Sequence, residues 1–148
     1  MQANFYPLKQ FIEKNGFIEL PAEGKSMYPF IKTGAICRFV LCESSSIKKG
    51  DIILFQTTNG KLVAHRFLKD EQINGRQMYV FKGDTNIRID DPVSEQQIIG
   101  KLVIVSNKRL KIKVNNPISI LWSMIIINFP SVSVLLRHYL YRNESMHY

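Results

Sequence analysis

The sequence predicts a mainly β protein: an antiparallel sheet or barrel, preceded by a short N-terminal helix and followed by a hydrophobic, helical C-terminal tail. Three observations carry that prediction. Short segments rich in branched and aromatic residues recur through the first two-thirds of the chain. Turn signals separate them, at Lys49-Gly50-Asp51, Asn59-Gly60 and Asn74-Gly75, and Asn-Gly pairs favour tight hairpins. No charge occurs from Val114 to Leu136, whereas the body before it holds nearly all of the charged residues.

The elements follow in order. From Phe5 to Asn15, apolar Phe5, Leu8, Phe11 and Ile12 stand at helical spacing, and Gly16 sits where a helix C-cap belongs. Strands are expected at Phe17–Leu20, Ile36–Leu41, Asp51–Phe55, Leu62–Leu68, Met78–Phe81 and Lys101–Val105. The basic run Lys108-Arg109-Leu110-Lys111-Ile112-Lys113 closes a body spanning 1–113, and 114–148 forms the tail. Within the tail, Ile118–Leu136 is a 19-residue uncharged run, just long enough to span a bilayer. Asn128 and Pro130 interrupt it, and Ser119, Ser123, Ser131 and Ser133 dilute it. Three arrangements fit: a span or embedded segment, a peripheral hairpin at the membrane interface, or a helical pair packed on the body or a partner.

Composition narrows the function. A chain of 148 residues allows one domain of ordinary size, and 45% hydrophobic with 22% charged residues excludes a disordered or collagen-like chain. Two cysteines exclude a disulfide scaffold; Cys37 and Cys42 read as reduced thiols, with pairing across a short loop as the alternative. Three histidines, two of them near the C-terminus, argue against a tetrahedral zinc site, and no cofactor is expected. The net charge of +8 permits an anionic partner. The chain carries no recognition helix, zinc finger or aromatic-rich basic strand, so no nucleic-acid partner is expected. The N-terminus has no basic patch and no long apolar run, so neither signal peptide nor N-terminal anchor is expected. The body is expected in the cytoplasm, with membrane contact through Ile118–Leu136; a soluble cytoplasmic chain is the alternative.

Three segments hold site-like residues. In Pro21–Ile31, Ser26 follows a glycine turn after a strand, with Pro29 three residues on; such a turn projects a hydroxyl and leaves backbone N–H groups free for an oxyanion. In Lys61–Phe67, His65 is the body's single histidine, the side chain best suited to act as a base near neutral pH. In Phe81–Val93, Asp84, Asp90 and Asp91 supply carboxylates, any of which can orient an imidazole or simply make turns.

Together these segments resemble the signal peptidase I family and its relatives, the self-cleaving SOS repressor-like peptidases. Ser26-Met27-Tyr28-Pro29 resembles the nucleophile box, Gly50-Asp51-Ile52-Ile53 the Gly-Asp-Ile/Val-Val strand, and Val63-Ala64-His65-Arg66 the general-base box. Lys82-Gly83-Asp84-Thr85-Asn86 resembles the Gly-Asp-Asn box, and Ile98-Ile99-Gly100-Lys101 the closing Ile-Gly-Lys/Arg-Val strand. The likeness covers roughly residues 17–105, with five boxes in order. His65 stands where the bacterial branch has lysine, which is similar to the Ser-His branch of archaea and the endoplasmic reticulum.

The resemblance implies a signal-peptidase or repressor-protease-like β-barrel and a serine endopeptidase. Ser26 is then the nucleophile, His65 the general base, Asp90 the orienter of His65, Asp84 a support, and Asp91 an adjacent competitor. The Ser26 N–H is the oxyanion donor, and the substrate, an extended segment of a precursor or leader peptide, adds a strand beside the nucleophile segment. Gly24 replaces the hydroxyl that many bacterial members carry two residues before the nucleophile, and Lys25 competes as a base only against strand alternation. A cytoplasmic site suits a cytoplasmic precursor better than an exported one. Two other readings stand beside this one. One is a non-catalytic, membrane-tethered adaptor that keeps the fold. The other is a self-cleaving repressor-type peptidase, opposed by the 25 residues before Ser26 and the lack of an Ala-Gly dipeptide.

Overall fold

The structure, a computed structural model, describes residues 6–145. Helix α1 (Tyr6–Asn15) leads into β1 (Ile18–Pro21), β2 (Ile36–Val40), β3 (Ile52–Gln56), β4 (Leu62–Ile73), β5 (Arg76–Lys82), β6 (Val93–Ser94), β7 (Ile98–Ser106) and β8 (Lys111–Lys113). Helices α2 (Pro117–Asn128) and α3 (Pro130–Ser145) complete the chain. Phe5, the first apolar position of the predicted N-terminal helix, lies outside the described residues.

The strands form one antiparallel sheet, curled into a half-barrel, in the order β1-β2-β7-β3-β4-β5-β6, with β8 also paired to β7. Register shifts interrupt β2–β7 at Arg38/Phe39, β3–β7 at Leu54/Phe55 and β4–β5 at Phe67/Lys69. An extra residue on one strand bends it and raises its twist, which is how a flat sheet acquires curl.

Strand β3 explains why this sheet has two cores. Its side chains alternate between faces, as any strand's must. Ile52 and Leu54 join Ile12, Ile18, Met27, Ile31, Phe39, Leu102 and Val105 in one cluster. Ile53 and Phe55 join Phe67, Tyr79, Phe81, Val93 and Ile98 in the other. A strand covered on both faces reads as an unbroken apolar run, and Ile52-Ile53-Leu54-Phe55 is one.

The strand limits differ from the expected ones for definable reasons. The β4–β5 hairpin runs on to Ile73 and Arg76, around Asn74 (φ 51°) and Gly75 (φ 73°). Its outer half, from Lys69 to Gln72, is polar and held by cross-strand backbone bonds, so no apolar alternation announces it. The basic run before the tail contains a strand, β8, on the edge of β7. Strand β6 has two residues, too few to show a period.

Residues 117–145 fold as two helices bent by 99° at Phe129-Pro130, and no single helix among the described residues is long and apolar enough to cross a membrane. Asn116 caps α2, its side-chain oxygen accepting from the Ser119 N–H at 2.9 Å, with Pro117 in the first turn where a missing N–H costs nothing. Both helices touch the body. Gly50 (φ +96°) lies so close to α2 that a Cβ there would collide with the Ser123 side chain. Lys82 Nζ donates to Ser133 Oγ at 3.1 Å, Tyr139 stacks on Tyr28 at 6.2 Å, and Glu144 pairs with Lys25 at 2.6 Å.

Candidate active site

Ser26 stands on a loop closed at its base. The Ala22 N–H donates to Ala35 O at 2.7 Å and the Gly34 N–H to Ala22 O at 2.8 Å. Buried Met27 and Ile31 anchor the loop in the core, and Thr33 Oγ1 donates to Gly24 O at 2.6 Å. The segment from β5 holds the far side: the Thr85 N–H donates to Ser26 O at 2.9 Å and Thr85 Oγ1 to Lys25 O at 3.2 Å. Gly83 makes this approach possible, since a Cβ on it would stand 3.0 Å from Ser26 O.

His65 projects from β4 opposite Ile53 of β3 and is buried, with its ring edge-on to Phe55 at 6.3 Å. Its Nε2 lies 3.0 Å from Ser26 Oγ and its Nδ1 2.5 Å from Asp90 Oδ2. A carboxylate can only accept, so Nδ1 carries the proton and donates to Asp90. The neutral ring then presents Nε2 as the acceptor for the Ser26 hydroxyl. Asp90 is itself placed by its backbone, whose N–H donates to Phe81 O at 2.8 Å. Ser26, 39 residues before His65, and Asp90, 25 after it, thus meet on one imidazole.

The other expected residues lie elsewhere. Asp91 is exposed to solvent. The Lys25 ammonium is engaged by Glu144 at 2.6 Å, away from the imidazole. Asp84 does not touch His65. It accepts from Arg66 Nε and Nη2, each at 2.8 Å, and from Trp122 Nε1 at 3.0 Å. Arg66 also donates from Nη1 to Gly50 O at 2.9 Å, and its guanidinium lies 5.8 Å from the centre of the Phe30 ring. Strand alternation explains the division of labour: His65 and Arg66 are neighbours, so one faces Ser26 and the other faces Asp84. Asp84 and Thr85 therefore tie the backbone of Ser26 to the strand that carries His65.

Sequence reasoning passed over Arg66, Thr85 and Trp122. A signal existed for the first: an arginine inside the apolar segment Leu62–Leu68 needs a buried acid, and Asp84 follows. Trp122 is the chain's one tryptophan, set in an uncharged run, but nothing local names its partner.

Ser26 and His65 line a cleft of about 760 Å3 whose remaining wall is mostly apolar, with Leu20, Ala22, Met27 and Ala64 among its residues. Two strand edges border it unpaired among the described residues. Strand β1 bonds only to β2, and Leu62–His65 of β4 bonds only to β3, because β5 joins β4 from Arg66 onward. Among the described residues no backbone acceptor takes the Ser26 N–H. No group of three or more His, Cys, Asp or Glu among them is arranged to hold a metal ion. Both cysteines are free thiols, and burial pushes each up to about 11. Lys82, beside Ser133, is held below the usual lysine value by burial, with Asp84 acting in the opposite direction.

An arrangement of hydroxyl, imidazole and carboxylate in series can activate the hydroxyl as a nucleophile: the imidazole accepts its proton and the carboxylate stabilises the resulting cation. Comparison with known proteins finds no matching family model, no matching curated protein and no matching solved structure.

Proposed function

We propose that this chain is a serine endopeptidase of signal-peptidase type that cuts an extended segment of a precursor or leader peptide. The hydrogen-bonded series Ser26–His65–Asp90 is the observation that carries this reading.

In the proposed reaction, Ser26 Oγ attacks the scissile carbonyl while His65 Nε2 takes the hydroxyl proton. Asp90 holds the ring in the tautomer that leaves Nε2 free and stabilises the imidazolium. The carbonyl oxygen becomes an anion facing the free Ser26 N–H. The C–N bond then breaks, and His65 returns its proton to the departing amine. Water, deprotonated by the same imidazole, releases the acyl group from Ser26. The two open strand edges favour an extended substrate, which satisfies its backbone groups by adding a strand. The apolar wall, with Ala22 and Ala64, favours uncharged side chains at the bound positions.

The test is cleavage of an extended-peptide library by the full chain, beside Ser26→Ala and His65→Ala. The wild type is expected to cut within apolar segments, and each substitution to lower the rate at least about a hundredfold. Undiminished cleavage by Ser26→Ala overturns the proposal. So does library binding without any cleavage, which is the behaviour of an adaptor.

A further inference from the structure

Helix α2 and the first turns of α3 have the polarity of a soluble helix turned inside out. α2 contains no charged residue. Three of its polar groups face the body: Ser119 is buried, Ser123 Oγ donates to Gly50 O at 3.4 Å, and the Trp122 N–H is spent on Asp84. Its outward positions before Asn128 are apolar, with Ile118 81% exposed and Leu121 and Met124 each 57% exposed. Phe129 continues this face at the bend. α3 begins the same way, with Ser133 fully buried on Lys82 and Leu135 67% exposed. An exposed apolar surface rimmed by polar residues marks an interaction site.

Charge indicates what covers it. Between Glu95 and Glu144 the chain has no acidic residue and seven basic ones: Lys101, Lys108, Arg109, Lys111, Lys113, Arg137 and Arg142. Lys48, Lys49 and Lys113 line, with Ile120 and Met124, a second cleft of about 700 Å3 along α2. A second copy of this chain would bring like charge against like. An anionic surface is the complement. Geometry narrows it further: α2, with 12 residues, is roughly 18 Å long, against a hydrocarbon core of about 30 Å, and α3 leaves it at 99°. Such a pair suits the plane of the interface.

We infer that the outward face of the α2–α3 pair seats the protein on an anionic lipid bilayer. Ile118, Leu121, Met124, Phe129 and Leu135 enter the headgroup–acyl boundary, and the basic side chains of β8 and the Lys48-Lys49 turn meet the headgroups. The inward face of the same helices stays on Asp84 and Gly50, so the docked protein keeps its site intact. This inference does not depend on the peptidase reading, and its test involves no cleavage.

The test is flotation of the full chain with vesicles of phosphatidylcholine alone, or with about a third phosphatidylglycerol. Tight, salt-sensitive binding is expected to the anionic vesicles and at least about tenfold weaker binding to the neutral ones. Leu121→Ser with Met124→Ser removes two outward apolar groups and is expected to weaken anionic binding at least about tenfold. Circular dichroism and thermal melting, unchanged in that variant, show that it folds. Ser26→Ala is expected to bind as wild type does. The inference is overturned if anionic vesicles are not bound at low salt, or if the double substitution leaves binding unchanged. Sedimentation of a lipid-free dimer that the double substitution dissociates, or capture of the face by an acidic protein in preference to vesicles, also overturns it.

Discussion

Replacing Asp84 by asparagine removes one charge from the most enclosed ion pair among the described residues. The side chains of Arg66 and Asp84 are 3% and 1% exposed, and two 2.8 Å bonds join them. Without the carboxylate charge, the guanidinium keeps only Gly50 O as a full acceptor and an amide oxygen in place of an anion. Removing one member of a buried pair typically costs about 3–5 kcal/mol. For a domain of this size that is roughly 6–20 °C in Tm. The assay is urea unfolding followed by the fluorescence of Trp122, the single tryptophan, whose N–H itself rests on Asp84. Trp122→Phe, followed by circular dichroism, removes one donor and leaves both arginine bonds, so a loss nearer 1.5 kcal/mol is expected. Arg66→Met with Asp84→Leu replaces the whole pair by apolar groups and is expected to recover much of the loss of the single variant. A cost below about 1 kcal/mol for Asp84→Asn, or no recovery in the double variant, would refute the view that an uncompensated buried charge sets the penalty.

Other outcomes follow from the same geometry. Asp90→Asn is expected to lower kcat/KM for a cleaved peptide by about 10³–10⁴-fold, by mis-setting the imidazole tautomer, whereas exposed Asp91→Asn is expected to match the wild type. A larger effect at Asp91 would reassign the orienting residue. Burial raises both thiols from 9.0 to about 11, so at pH 8 each holds roughly a hundredfold less thiolate than in the unfolded chain. Alkylation by iodoacetamide is expected to be slower in the native protein by about that factor, and equal rates in native and urea-unfolded protein would contradict the burial. Because the folded chain holds these protons more tightly, their contribution to stability is full below pH 9 and is lost as the pH rises through about 11, which alkaline denaturation measures.

Much of this protein is written in short stretches of its sequence. Asn74-Gly75 dictates a hairpin because only two residues must adopt positive φ, and both tolerate it. Ile52–Phe55 reads as a strand covered on both faces because alternation is a property of the backbone. Pro130 divides the tail, since a proline N has no proton to give to a helix already begun. Ser26, His65 and Asp90 were each legible as candidates from residue type and from their order along the chain. Their convergence on one imidazole was implied by the family resemblance alone; residue type and spacing do not set it, because the curl of the sheet and the loops around it fix the 3.0 Å and 2.5 Å distances.

The outer half of β4–β5 and the two-residue β6 escaped for another reason: backbone pairing holds them where no apolar period is needed. Long-range contacts escaped most completely. Arg66 finds Asp84 18 residues away, Trp122 reaches Asp84 across 38, and Lys25 meets Glu144 across 119. By itself, then, the sequence determined the β class, the turns, the helix break and the chemical types available for a site, because each rests on the conformational preferences of a few adjacent residues. Only the tertiary structure decided which aspartate faces His65, which faces Arg66, and that the C-terminal helices turn Ser119 and Ser133 inward and Ile118, Leu121 and Leu135 outward, because those choices are made between distant segments competing for the same buried space.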